Sequence, residues 1–222
     1  RRRLKIIGGV PLKNLKFKKR LLKAGVLIVL LVAVDQVTKI VANIILAEQT
    51  ISVIGDFFQL DLAYNPGFGF SMGTGWPQWL TMAVKILIPS LAAIFTFFRL
   101  KADDCTHLEA LSLTLLTAGA FGNLIDRLCY GYVIDFLLFK MYGLLGFQYW
   151  PTFNVADILV VSGTIGFAIT QLLAAINEHK AEKGKSESVA EETEESRGAQ
   201  EEGIEDEGAS EMAQETAEER DS

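Results

Sequence analysis

Ala24-Gly-Val-Leu-Ile-Val-Leu-Leu-Val-Ala-Val34 is an uninterrupted apolar run, and after a short polar break it resumes beyond Lys39 to reach Ala47. A bilayer core about 30 Å thick needs roughly 20 mostly apolar helical residues, so this run predicts a membrane span. Three further stretches have the same character, giving predicted helices at about 22–46, 77–98, 107–125 and 153–176. A soluble domain of this length has no use for four such blocks. The basic start ahead of the first run resembles the n-region of a cleaved signal peptide. The apolar residues continue past Lys39 without a small-residue cleavage site, so it reads as a retained span.

Charge placement orients the spans. Ten Lys or Arg lie between Arg1 and Lys23, whereas the connection from about 47 to 75 holds none. The positive-inside rule puts the first on the cytoplasmic side and the second outside. Arg99 and Lys101, in the link between the second and third spans, fall on the cytoplasmic side with Lys180, Lys183 and Lys185. After Lys180 the chain carries 16 acidic residues against 4 basic ones, so the overall −6 leaves +6 for residues 1–180. Almost without aliphatic or aromatic side chains, this tail is expected to be disordered. The predicted organisation is a basic cytoplasmic segment at 1–21, a four-helix membrane domain at 22–179 and an acidic cytoplasmic tail at 180–222. Cys105 and Cys129 fall on opposite faces in this topology and cannot pair.

In the outer connection, Ile51-Ser-Val-Ile and Phe57-Phe-Gln-Leu-Asp-Leu-Ala-Tyr64 alternate as short strands do, with turn signals at Gly55-Asp56 and Asn65-Pro-Gly67. They predict a small sheet on the outer leaflet, with Phe68, Phe70, Trp76 and Trp79 at headgroup depth. A second outer connection, about 126–152, carries Tyr130, Tyr132, Tyr142, Tyr149 and Trp150 and has the same interfacial character. The fold class is therefore an all-α membrane protein with four transmembrane helices, a small outer β-structure and an interfacial loop.

Ionisable groups inside spans cost about 2.5–3.5 kcal/mol each on insertion scales and call for a reason. Asp35 and Lys39 share a helix face and form an ion pair at that spacing. Asn123, Asp126 and Arg127 close the third span, Asp135 lies among apolar neighbours, and Asn154 is placed to cap the fourth span with Asp157 in its first turn. Topology gathers Asp126, Asp135 and Asp157 at one membrane face. Two close carboxyl groups cannot both ionise freely, an arrangement that activates water and protonates a leaving amine. The residues alone do not choose which two. His107 and His179 belong to the other side, so a histidine triad or zinc site lacks its parts at this face. No phosphate-binding glycine loop is present in the sequence, and outside the basic N-terminal segment no basic aromatic surface suits nucleic acid. Two other readings compete: a small ion or proton transporter using intramembrane carboxylates, and a non-catalytic adaptor recruiting partners through the tail.

Five motifs together resemble the lipoprotein signal peptidases, also called signal peptidase II. They are Asp35-Gln-Val-Thr-Lys39, Asn65-Pro-Gly-Phe-Gly-Phe70, Gly119-Ala-Phe-Gly-Asn-Leu-Ile-Asp-Arg127, Val133-Ile-Asp-Phe136 and Phe153-Asn-Val-Ala-Asp157. The likeness spans about 25–176. It implies a monomeric four-helix aspartic peptidase of the bacterial inner membrane with a periplasmic β-cradle. Such an enzyme cuts lipid-modified prolipoproteins just before the lipidated cysteine and needs no metal or cofactor. By the same resemblance Asp135 and Asp157 are catalytic. Asn65, Gly67, Asn123, Arg127 and Asn154 line the substrate site, and Asp35, Lys39 and Asp126 support it. This chain departs from the family pattern at Gly69 and Ala118, where Ala and Gly are usual. It also has a longer stretch between the two catalytic positions, with Met141–Phe147 the expected insertion.

Overall fold

The computed structural model describes residues 6–7, 10–67 and 77–185. Phe68, Gly69, Phe70 and Trp76, and the tail beyond 185, lie outside the described residues. After a two-stranded antiparallel ribbon of β1 (Ile6–Ile7) and β2 (Val10–Pro11), the chain forms α1 (Leu12–Ile45), β3 (Ile51–Ile54) and β4 (Phe58–Asn65). Then come α2 (Gln78–Lys101), α3 (His107–Cys129), β5 (Val133–Phe139) and α4 (Val155–Lys185). Two compact units divide the chain at Thr170; everything that follows concerns the first, and the described part of the second, Gln171–Lys185, is helical.

All four helices are long and apolar enough to cross a membrane. α1 begins about ten residues before the predicted start, because Lys and Arg are good helix formers and nothing breaks the backbone between Leu12 and Lys23. Its large side chains point outward: Leu22 is 69% exposed, Val29 69% and Ile44 71%. Such a surface suits hydrocarbon. α3 is the hub. Half of its apolar window is buried, against 11 to 17% in the other three helices.

Small residues let the neighbours of α3 come close. A Cβ on Gly119 would collide with the Ala156 carbonyl of α4, and one on Gly122 would lie 2.6 Å from the Asp35 carboxylate of α1. Polar pairs join the helices elsewhere. The Thr96 and Thr117 hydroxyls meet at 2.8 Å between α2 and α3, and at the α2–α3 turn Arg99 grips the buried Glu109 at 2.6 Å, with Thr106 capping α3.

At the opposite end of α3 the strands form one antiparallel sheet, ordered β3-β4-β5. β3 and β4 occur where alternation predicts them. β5 arises within the stretch read as an interfacial connection: the run Val133-Ile-Asp-Phe-Leu-Leu-Phe139 pairs along β4 with Ala63 opposite Asp135. Phe136 seats the sheet against Ala42 and Leu46 at the end of α1. Phe139 stacks on Phe58 and Phe153 at centroid distances of 4.8 and 5.8 Å. The segment after β5 turns back through Tyr142 and Gly143, both with positive φ (52° and 85°), and Asp56 holds Lys140 and Tyr142 at 2.5 Å each. Cys105 is buried at one end of α3 and Cys129 exposed at the other, and both are free thiols.

Candidate active site

The site is assembled from the ends of secondary elements. α4 starts at Asn154, whose Oδ1 accepts the Asp157 backbone N–H at 3.0 Å while the Asp157 carboxylate accepts the Asn154 N–H at 3.1 Å. This reciprocal cap fixes the rotamers of both side chains with donors that a helix start leaves over. The Asn154 amide, freed to face sideways, donates to Asp135 Oδ1 at 2.7 Å and to Asn123 Oδ1 at 3.1 Å. Asn123 in turn donates to Asp157 Oδ1 at 2.8 Å. From the end of β4, Asn65 donates to Asp135 Oδ2 at 3.1 Å, and its own Oδ1 accepts the Gly67 N–H in a tight turn. Both aspartates are therefore oriented by neutral amides.

A second layer lies beneath. Lys39 bridges Asp35 at 2.8 Å and Asp126 at 2.9 Å and donates to Asn123 at 3.0 Å. Asp35 accepts the Ala156 N–H at 2.8 Å, tying α1 to the first turn of α4, and Asp126 accepts the Ile134 N–H at 3.2 Å, tying α3 to β5. A carboxylate at a helix start satisfies an otherwise orphaned amide and meets the positive end of the helix dipole. All three charged side chains have 1% or less of their surface exposed. Breaking this layer would move both elements that carry the cavity-facing aspartates.

The cavity itself has a volume of about 460 Å³. Asn65, Asn123, Arg127, Asp135 and Asp157 line it on one side. Trp150, Phe153, Ile158 and Val161 supply an apolar wall. Asn154 holds Asp135 from behind, and Gly67, Asp35, Lys39 and Asp126 stand outside the lining. Asp126 thus separates from the other two acids: it is consumed by Lys39, Gln36 and a backbone amide. The Asp135 carboxyl is pushed up to about 6, first by burial and then by the negative charge of Asp157. Among the described buried side-chain atoms, Arg127 Nε has no hydrogen-bond partner.

Two supporting residues escaped the sequence reading. Gln36 donates to Asp126 at 2.8 Å and to the Gly122 carbonyl at 3.1 Å. Its position next to Asp35, on the helix face that meets α3, was the available signal. Lys85 of α2 is buried and donates to the Pro66 carbonyl at 2.6 Å, bracing the Asn65 turn from the side. A lysine in the middle of a span was signal enough.

Comparison with known proteins agrees with this architecture. The signal peptidase (SPase) II family matches residues 27–173. A lipoprotein signal peptidase of Treponema denticola is 36% identical over 154 residues, covering 68% of this chain and 89% of the relative. One from Pseudomonas syringae pv. tomato is 42% identical over 147 residues, covering 64% and 82%. A bacterial membrane enzyme solved by the in meso method superposes with a TM-score of 0.58 at 27% identity, over 70% of this chain and 90% of that one. With four membrane helices, a three-stranded sheet at one end and this match over most of its span, the chain belongs to the signal peptidase II family of membrane peptidases.

Proposed function

We propose that this chain is an aspartic peptidase that removes signal peptides from lipid-modified prolipoproteins, cutting before the lipidated cysteine, with Asp135 and Asp157 as the catalytic pair. The observation that carries the reading is that two carboxyl groups face one largely apolar cavity, held by neutral amides and, among the described residues, in no ion pair. Such a pair can share one proton. Asp135, the more deeply buried member, holds it; Asp157, in the first turn of α4, acts as the base that takes a proton from water. That water attacks the scissile carbonyl while Asp135 donates to the developing oxyanion and then to the leaving amine. The two macroscopic titrations belong to the pair.

In this reading the substrate's signal helix reaches the cavity sideways from lipid, and the apolar wall at Trp150, Ile158 and Val161 accommodates its apolar portion. Arg127, with an unused Nε–H, supplies a donor to substrate. Asn65, Gly67, Asn123 and Asn154 position the scissile segment and the two acids, and Asp35, Lys39 and Asp126 keep α4 and β5 in register. The charge pattern supports cytoplasmic termini and a site at the outer face of the inner membrane. One chain supplies every residue named, which supports a monomer as the working unit.

The ion-transporter alternative finds no support in the geometry of the described residues, where the acid deeper in the bundle, Asp35, is locked to Lys39 and a backbone amide. The deciding assay incubates the purified full chain in detergent with a diacylglyceryl-modified prolipoprotein. Cleavage by the wild type and none by Asp135→Asn or Asp157→Asn is expected. Full cleavage by either variant overturns the assignment, and ion flux in proteoliposomes without peptide product would favour the transporter.

A further inference from the structure

A second cavity, of about 440 Å³, lies between α1 and α3 at the end of the bundle away from the aspartates. Lys16, Lys19, Arg20 and Lys23 line it from α1. Their spacing of three, four and seven puts all four on one face of the helix. The same face continues inward as Ala24 and Leu27. From α3, His107 stands at the rim and Ala110, Leu111 and Thr114 deeper, the Thr114 hydroxyl spent on the Ala110 carbonyl, so both walls run from charged to largely apolar in the same direction. His107 and Arg127 mark the two ends of α3, about 30 Å apart by helical rise, which is the thickness of the hydrocarbon core. If the acids stand at one membrane surface, the basic rim stands at the other.

Among the described residues, no carboxylate forms an ion pair with Lys16, Lys19 or Lys23. Arg20 is the exception in its own way: it donates to the Ala102 carbonyl at 3.0 Å, closing the rim against the end of α2. Three unneutralised ammonium groups above an apolar slot match one kind of molecule, an anion carrying a hydrocarbon chain. The acidic tail of this chain offers charge but only scattered apolar side chains, Val189, Ile204 and Met212 among them, with no run to fill the slot.

We propose that this cavity binds an anionic phospholipid, its phosphate among Lys16, Lys19 and Lys23 and one acyl chain against Leu27 and Leu111. Basic pockets between membrane helices take lipid phosphates in this way, each surface lysine strengthening the contact several-fold. The bound lipid would bridge the starts of α1 and α3 beside the apolar cluster of Ala24, Leu100 and Cys105, on which Phe17 of α1 and Ala110 of α3 also pack.

Native mass spectrometry of the full chain in detergent tests this, titrating dioleoyl phosphatidylglycerol against dioleoyl phosphatidylcholine. The wild type is expected to retain one phosphatidylglycerol in preference to phosphatidylcholine. The triple variant Lys16→Gln/Lys19→Gln/Lys23→Gln should retain it at least about tenfold more weakly. The separate variant Leu111→Trp, which fills the slot and keeps the charges, should also lose it. Circular dichroism unchanged from the wild type establishes that each variant is folded. Equal retention by the wild type and the triple variant, or no preference over phosphatidylcholine, overturns the proposal. So does displacement of the lipid by inorganic phosphate, which would assign the pocket to a free anion. Carbodiimide cross-linking of the tail to these lysines that persists at saturating phosphatidylglycerol would assign it to the tail. Lipid retention is read independently of peptide cleavage, so failure of one reading leaves the other standing.

Discussion

Two pairs of aspartates lie within one end of this bundle, and they are held in opposite ways. Asp35 and Asp126 share Lys39 and each also accepts a backbone amide, so charge and hydrogen bonds are both satisfied. Asp135 and Asp157 receive amides from Asn65, Asn123 and Asn154, which orient a carboxyl group without neutralising it. A buried acid with a cation at 2.8 Å is a structural fixture. Asp135, with neutral donors, deep burial and the charge of Asp157 nearby, is pushed towards its protonated form, which is what acid–base chemistry near neutral pH requires.

The largest expected effect separates the pairs by what each controls. Asp135→Asn or Asp157→Asn is predicted to lower kcat by about 10³-fold or more with no loss of melting temperature, since the amide keeps the shape and loses the proton chemistry. Asp126→Asn should do the reverse, lowering the melting temperature more than kcat. Comparable stability loss in all three variants would erase the distinction. Next, Lys39→Met strands two buried carboxylates and is expected to cost about 3–5 kcal/mol. Adding Asp35→Asn and Asp126→Asn to it should recover part of that loss in thermal unfolding.

A pH series sharpens the comparison further. The Asp135 carboxyl titrates near 3.8 in the unfolded chain and is raised to about 6 in the fold, so its contribution is present below pH 4 and is lost as pH rises through 6. The shift corresponds to up to about 3 kcal/mol. Melting curves of Asp135→Asn and wild type should therefore diverge between pH 4 and 7, the variant gaining relative stability as pH rises. Constant separation across that range would contradict the raised carboxyl. The smallest effect is expected at the exposed Asp56, where Asp56→Asn frees Lys140 and Tyr142 and should leave both cleavage and melting nearly unchanged.

The membrane class was legible in the sequence because hydropathy is a property of runs: each of four stretches declares a span without reference to the others. The Asp35–Lys39 pair and the Asn154 cap were legible for the same reason, since helical spacing and capping act within a few residues. β3 and β4 showed themselves by alternation. β5 did not, because its first four residues are all buried, whichever face they point to, and the run Val133–Phe139 has no alternation to read.

The choice among Asp126, Asp135 and Asp157 was beyond any local pattern. All three sit at the same end of the bundle, and the residues that separate them come from α1, β4 and the start of α4. Lys39 claims Asp126 only because Gly122 lets α1 and α3 close together. Sequence alone determined how many times this chain meets the membrane and which acids gather at one face, because hydrophobic burial and charge placement are summed along the chain. Only the tertiary structure decided which acid receives a counter-ion and which is left with amides, because that depends on contacts a few ångströms long between residues up to 121 positions apart.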